Sequence, residues 1–142
     1  MADEATNIVL LGNQGDVIEV IVATGTAIAK GTLMQLSSSP QTCTATDGAN
    51  QAFLGILEEE KTTTDGKTKV GLITHCLADL TCGAGETMVL GAPVMTGAAA
   101  NEVNVADDSS VEGSNTQIVG LAQETVANNG TGAVLINVGH QY

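Results

Sequence analysis

Arginine is absent from this sequence of 142 residues, and only four lysines face 16 acidic residues, so the formal net charge is -12. Proteins that bind a phosphate backbone need clustered lysine and arginine to displace its counterions. This chain has no such cluster. Anionic lipid headgroups would repel the same negative charge, and no apolar run approaches the ~20 residues of a membrane helix. We therefore expect neither a nucleic acid nor a membrane as a partner.

Aromatic residues are equally scarce, because tryptophan is absent and Phe53 and Tyr142 are the only aromatic side chains. The core must then consist of Ala, Val, Leu and Ile, which stabilise it through many small contacts. Carbohydrate sites usually rely on aromatic faces, so the scarcity also argues against sugar binding. The 17 glycines and the abundant threonines favour short strands joined by tight turns.

The first five residues, Met-Ala-Asp-Glu-Ala, are acidic, whereas a secretory leader begins with basic residues. We therefore expect synthesis and assembly in a cytosolic setting. The three cysteines, Cys43, Cys76 and Cys82, are odd in number and lack the spacing of a disulfide framework. This pattern predicts reduced thiols that fill small buried or half-buried spaces, and an inter-subunit disulfide is the alternative.

The alternation of β-branched residues in G-D-V-I-E-V-I-V, residues 15–22, is typical of a strand that follows a Gly-Asp turn. No window of eleven residues keeps a helical period. If a short helix exists, the sequence places it at residues 51–60 or 79–83. The predicted fold is therefore mainly β, a small barrel or sandwich. Its other strands are expected at residues 32–36, 42–46, 52–57, 70–77, 86–90, 93–95, 102–105, 116–123 and 133–138.

The chain also matches itself, which predicts two related half-modules at approximately residues 15–78 and 79–139. In both halves a pair of glycines precedes an apolar pair that ends in Met, and a glycine later interrupts an apolar strand. A glycine inside such a strand marks a bulge or a close backbone approach. We therefore assign these glycines a structural role. The matched pairs are Gly25 with Gly85, Gly31 with Gly91 and Gly55 with Gly120.

Residues that could carry chemistry do not form a recognisable site. His75 adjoins Cys76, but neighbouring residues on a strand point to opposite faces, and no C-x-x-C spacing is present. The acidic run at 58–60, followed by Lys61, lacks the spacing of a calcium loop and is predicted to be solvated. Residues 65–68 lack the first glycine of a phosphate-binding loop. We expect no enzymatic activity, no metal site and no cofactor.

The second half resembles the capsid decoration (cement, head-stabilising) proteins of tailed bacterial and archaeal viruses. The resemblance rests on an opening Gly-Asp at 15–16, on G-E at 85–86 with G-A-P-V at 91–94, on I-V-G-L-A at 118–122 with Glu124, and on A-V-L-I at 133–136. It covers most of the chain from about Gly15 to Gly139. The acidic insertion at 58–67 and the cysteines depart from the family pattern.

The resemblance implies a structural protein of the virion, located on the outer capsid surface, with the major capsid protein as its partner. It also implies a homotrimer at the three-fold and quasi-three-fold positions of the shell. Residues 1–14 would then be a flexible arm, and residues 15–142 the β-rich domain. The apolar residues of the arm, Ile8, Val9, Leu10 and Leu11, are expected to add as a strand to a capsid sheet. An ordinary frayed terminus is the alternative.

Other functions stay open at this point. Another virion component built from β-strands, in a tail, fibre or baseplate, would have a similar composition. A non-catalytic ligand-binding β-domain is a second alternative, and an enzyme with an unrecognised site is a third.

Overall fold

The computed structural model describes residues 4–8, 17–106 and 117–138. Within these ranges the chain forms β-strands and no helix, which confirms the predicted all-β class. In particular, the described ranges contain no helix that is long and apolar enough to cross a membrane. The strands are β1 (Thr6–Ile8), β2 (Val17–Val22), β3 (Leu33–Leu36), β4 (Thr42–Ala45), β5 (Phe53–Leu57), β6 (Lys69–Ile73), β7 (His75–Cys82), β8 (Pro93–Thr96), β9 (Glu102–Val105), β10 (Gly120–Ala122) and β11 (Thr131–Asn137).

The first barrel closes in the order β2-β4-β3-β5-β6. Strand β2 pairs antiparallel with β6 along residues 17–21 and parallel with β4 at residues 21–22. The predicted alternation along β2 places Val20 and Val22 in the interior, while Glu19 and Ile21 are exposed. Branched side chains at these positions suit the pleated, half-buried surface of a barrel strand.

The second barrel consists of β7 to β11 in the order β7-β11-β10-β8-β9, and it closes because β9 pairs in parallel with β7 at residues 81–82. Strand β1 lies outside this ring and pairs antiparallel with β7. Thr6 lies opposite Asp79, and Ile8 lies opposite Leu77. Strand β1 is therefore an edge strand added to the second barrel.

The two barrels share one topology and one register, so the predicted internal repeat is present in the fold. Each barrel contains one parallel strand pair, four antiparallel strand pairs and an isolated bridge at equivalent places. The offset is 60 residues for the first three strands of each module and 65 at the fourth, β5 and β10, as the glycine spacing predicted. Equivalent pairs are Ile21–Thr42 and Thr81–Glu102, Met34–Gly55 and Val94–Gly120, and the bridges Ile28–Lys61 and Met88–Val126.

Several strand predictions are wrong in detail. Residues 70–77, expected as one strand, contain the end of β6 and the start of β7, with only Thr74 between them. The second barrel accordingly begins at His75. Neither position considered for a helix is helical, because β5 lies within residues 51–60 and the end of β7 within 79–83. Residues 86–90 form no strand, since Met88 makes only a single bridge, and β1 was not predicted.

Apolar packing continues from one barrel into the other. One buried cluster fills the first barrel and includes Val20, Met34 and Leu72. A larger cluster fills the second barrel and also contains Leu33, Phe53, Ile56 and Ile73 of the first. Phe53 is the one aromatic side chain in these clusters, which otherwise consist of aliphatic residues, methionines and cysteines. The shared cluster joins the barrels through the hydrophobic effect, the main favourable term in folding.

Buried polar groups fix how the barrels meet. The Oδ1 atom of Asn101 accepts a hydrogen bond of 3.0 Å from the backbone N–H of Leu33, and the N–H of Asn101 donates to Oγ1 of Thr46 at 3.4 Å. The Oγ1 atom of Thr96 donates to the carbonyl oxygen of Gly48 at 2.9 Å. Asn101 and Thr96 are 4% and 0% exposed. Loss of any of these bonds would leave a buried polar group unsatisfied.

Candidate interaction surfaces

The predicted arm is only partly within the described residues. Ile8 lies in β1, whose backbone pairs with β7 of the same chain. The backbone N–H of Ala5 donates to the carbonyl oxygen of Gly31 at 2.8 Å, which attaches the segment to the first barrel as well. Val9, Leu10 and Leu11 lie outside the described residues. The described beginning of the chain is thus bound to both barrels.

Gly55 and Gly120, two of the predicted structural glycines, occupy equivalent strand positions. Each lies close to a backbone carbonyl group of the neighbouring strand. A Cβ atom on Gly55 would lie 2.6 Å from the carbonyl oxygen of Ile73, and one on Gly120 would overlap the carbonyl oxygen of Leu135. The backbone of Gly55 has φ 145°, and the register of β3 with β5 shifts beside it. Only glycine leaves enough room for the strands to approach so closely.

The other four glycines lie in turns, and their surroundings differ between the barrels. Gly31, Gly85 and Gly91 have positive φ angles of 84°, 81° and 81°, whereas Gly25 does not. In the first barrel Ala5 covers Gly31. At the equivalent Gly91, no atom of the described residues lies within 4 Å of the position of a Cβ atom. The two similar modules therefore differ at this turn, which is covered at Gly31 and open at Gly91.

The cysteines are buried thiols. Cys43, Cys76 and Cys82 are 3%, 0% and 0% exposed, and none of them forms a disulfide. Burial raises the pKa of the Cys76 thiol to about 11, and burial also raises the pKa of Cys43 and of Cys82. A raised pKa lowers the fraction of reactive thiolate at neutral pH. Within residues 4–8, 17–106 and 117–138, no group of three His, Cys, Asp or Glu could hold a metal ion.

Lys61 is a fully buried cation that the sequence did not reveal. It follows three exposed glutamates, and it is itself 0% exposed. Its Nζ atom donates to the carbonyl oxygens of Thr24 at 2.7 Å, Thr26 at 3.1 Å and Thr62 at 3.2 Å. The expectation of a solvated loop holds for the glutamates and is wrong for Lys61, which ties two loops of the first barrel together.

Asp65 organises the loop that follows Lys61. Its Oδ1 atom accepts from the N–H of Lys67 and its Oδ2 atom from the N–H of Thr62, both at 2.9 Å. Lys61 Nζ lies 3.5 Å from Oδ1. The hydrogen bond from Lys67, with smaller contributions from Thr62 and Lys61, lowers the pKa of the Asp65 carboxyl below its usual value. These contacts are structural, because Asp65 closes a turn.

An open groove of about 630 Å³ lies on the outside of the first barrel. Ile21 and Leu36 line it and are 40% and 42% exposed, and Leu54 lies beside them. Glu19 and Lys69 also line the groove. A contiguous apolar surface on a small acidic protein indicates a contact surface.

A second apolar surface lies on the second barrel. Leu121 of β10 is 43% exposed, and Val89 and Leu90 in the turn before β8 are 48% and 64% exposed. The N–H of Leu90 donates to Oγ1 of Thr125 at 3.1 Å, which places this turn beside the end of β10. The described part of the molecule therefore presents apolar side chains on both barrels.

Both surfaces are suited to binding a complementary apolar surface. Their exposed side chains are aliphatic and lie on strands or in the turn before β8, and Glu19 and Lys69 add charges at the groove. Comparison of the chain with models of known protein families gives no match, and comparison with curated proteins gives none either.

Proposed function

We propose that this protein is a structural component of a virion that binds the outer surface of an assembled capsid and stabilises the shell. Its partner is the major capsid protein, and it acts as a homotrimer at three-fold and quasi-three-fold positions. The proposal extends the resemblance to the capsid decoration proteins of tailed viruses. In this role the protein contributes contact surfaces and performs no chemistry.

One observation carries the proposal: three motifs of the resemblance, at 91–94, 118–122 and 133–136, lie next to each other in the fold. Residues 91–94 enter β8, residues 118–122 contain β10, and residues 133–136 lie in β11. Gly120 pairs with Val94 on one side and with Ile136 on the other. The N–H of Gly91 also donates to the carbonyl oxygen of Ala122 at 2.9 Å. The resemblance therefore concerns one packed structural unit of three neighbouring strands.

The position of β1 supports a role for the residues that follow it. Strand β1 lies at the edge of its sheet and pairs with β7 on one side. In the sequence, Val9, Leu10 and Leu11 follow Ile8, the last residue of this edge strand. An extended apolar segment can add to the sheet of a capsid subunit, where backbone pairing supplies affinity and alternate side chains supply register. Three such arms on a trimer would raise the avidity for a three-fold site.

Sedimentation with empty heads tests the arm without removing β1. The test variant replaces Val9, Leu10 and Leu11 with serine. A control variant replaces Ala23, Ala27 and Ala29 with serine, because these three apolar residues are exposed in loops of the first barrel. Wild type and control should pellet with heads that lack the protein, whereas the arm variant should stay in the supernatant with unchanged circular dichroism.

The outcomes separate the function from the arm. Equal pelleting of the arm variant would exclude the arm and leave capsid binding intact. If wild type failed to bind heads but bound isolated tails of the same virus, the proposed function would be wrong and a tail component would be indicated.

A further inference from the structure

The barrels of one chain are joined head to tail, through different faces. The first barrel contributes face A, which includes Leu33, Thr46 and Ile56. The second contributes face B, which includes Thr96 and Asn101. Hydrogen bonds connect Leu33 and Thr46 to Asn101, and Ile56 belongs to the apolar cluster of the second barrel. Because the faces differ, each barrel keeps the face that the other one uses.

The unused face of the first barrel, face B′, is exposed. Leu36 corresponds to Thr96 and is 42% exposed, whereas Thr96 is fully buried against the first barrel. Gln41 corresponds to Asn101, and both have positive φ angles, 53° and 61°. Such angles are uncommon outside glycine, so the shared conformation shows that the backbone turns in the same way at this position of faces B and B′. Gln41 is exposed, whereas Asn101 is 4% exposed.

The unused face of the second barrel, face A′, is exposed in the same way. Leu121 corresponds to Ile56, and the two side chains are 43% and 0% exposed. Pro93 corresponds to Leu33 and Ala106 to Thr46, and both are only partly buried. Each chain therefore presents two partly exposed faces at the positions equivalent to faces A and B.

The residue differences between the used and the unused faces favour a contact that forms between separate chains. On face B′, Leu36 replaces a threonine, and Ile21 replaces Thr81. On face A′, Pro93 stands at the position of Leu33, whose N–H donates to Asn101. A proline has no N–H, so this position of face A′ needs no acceptor. Ala106 likewise lacks the hydroxyl of its counterpart. At these positions the unused faces are thus more apolar, and they do not require the buried hydrogen bonds that connect the barrels within the chain.

We propose that face A′ of one copy docks on face B′ of the next copy and so repeats the joint between the barrels of a single chain. The contact is heterologous, and repeated heterologous contacts give a closed ring when the rotation closes. Each copy would contribute two similar barrels, so a trimer would be a closed ring of six barrels. The inference depends on the internal repeat and is independent of capsid binding.

Light scattering coupled to gel filtration tests the joint with one variant for each face. Leu36→Asp places a charge on face B′, and Leu121→Asp places one on face A′. Ala84→Asp is the matched control, because Ala84 and its counterpart Thr24 are both exposed in turns outside faces A and B. Circular dichroism verifies that each variant is folded. Wild type and control should elute as the same multiple of 14.3 kDa, and each test variant should lose this assembly.

Mixing the two test variants distinguishes this joint from a symmetric dimer. Leu36→Asp retains face A′, and Leu121→Asp retains face B′, so the mixture should form a two-chain species with rising concentration, although neither variant does so alone. An interface that uses one face twice would give no mixed species and would overturn the proposal. A monomeric wild type, or full assembly of either test variant, would overturn it as well. If these faces bind only the capsid protein, the isolated wild-type protein will be a monomer.

Discussion

Lys61 and Val126 occupy the same position in the two barrels. Each forms the isolated antiparallel bridge of its module, Lys61 with Ile28 and Val126 with Met88. Val126 is 8% exposed and Lys61 0%, so the first barrel places an ammonium group where the second places an isopropyl group. Buried charges are tolerated when hydrogen bonds satisfy them, and three carbonyl oxygens do so here.

Replacement of Lys61 by methionine should destabilise the protein by about 3 kcal/mol. The methionine keeps most of the volume but leaves the carbonyl oxygens of Thr24 and Thr26 without their charged donor. Urea unfolding, followed by circular dichroism, measures the change in the free energy of unfolding.

Lys67→Met is the control for this prediction. Its Nζ atom lies 3.7 Å from Glu59, and the two side chains are 42% and 77% exposed. An exposed pair contributes little, so the control should change the free energy of unfolding by less than about 0.5 kcal/mol. Equal effects of the two substitutions would mean that the buried contacts of Lys61 do not stabilise the fold.

Alanine at Gly55 or Gly120 should destabilise the protein by about 2 kcal/mol or more. The added methyl group would meet the carbonyl oxygen of Ile73 in one barrel and of Leu135 in the other. Gly25→Ala is the control, because no described residue lies within 4 Å of its Cβ position. Thermal unfolding of the three variants measures the difference. A loss at Gly25 as large as at Gly55 would contradict the close strand approach.

Asp65 should stabilise the fold in a pH-dependent way. Its pKa is lowered in the folded protein, chiefly by the hydrogen bond from Lys67. The stabilisation is therefore complete above the pKa of the unfolded state, about 3.9, and is lost as the pH falls through the lower folded-state pKa. The difference in stability between wild type and Asp65→Asn should shrink as the pH falls through this range. A difference that stayed constant would show that the charge of Asp65 is not involved.

The three thiols should be inaccessible in the native protein. Burial raises the pKa of all three, that of Cys76 to about 11. Ellman's reagent at about pH 8 should label no cysteine in the folded chain and three per chain in denaturant. Rapid labelling of the native protein would contradict the buried positions. A dimer on a non-reducing gel would instead support an inter-subunit disulfide.

The internal repeat was predictable because glycine inside an apolar strand is rare enough to be matched. Gly55 and Gly120 occur in the same order relative to the earlier glycines, and the strand registers follow the same offsets. The boundary between the modules was not predictable in the same way. Strand β6 ends and β7 begins around Thr74 without a glycine or proline, so the alternating apolar pattern runs through the junction.

Tertiary contacts decided the features that the sequence left open. Lys61 follows an acidic run that is typical of a solvated loop, and its partners are backbone carbonyls, which leave no mark in the sequence. Likewise, Leu121 and Ile56 are similar residues at equivalent positions. Only the arrangement of the barrels leaves one exposed and the other buried. Strand β1 was missed because three residues are too few to show a period.

Heat resistance of viral heads tests the proposed structural role most directly. Heads of the cognate virus, prepared without the protein and filled with DNA, are heated with and without added wild-type protein, and dye fluorescence reports DNA release. Binding across neighbouring capsid subunits should stabilise the shell by mass action, so we expect release at a higher temperature when the protein is present. An unchanged release temperature on heads that carry the protein, or no binding to the heads, would contradict a role in stabilising the capsid.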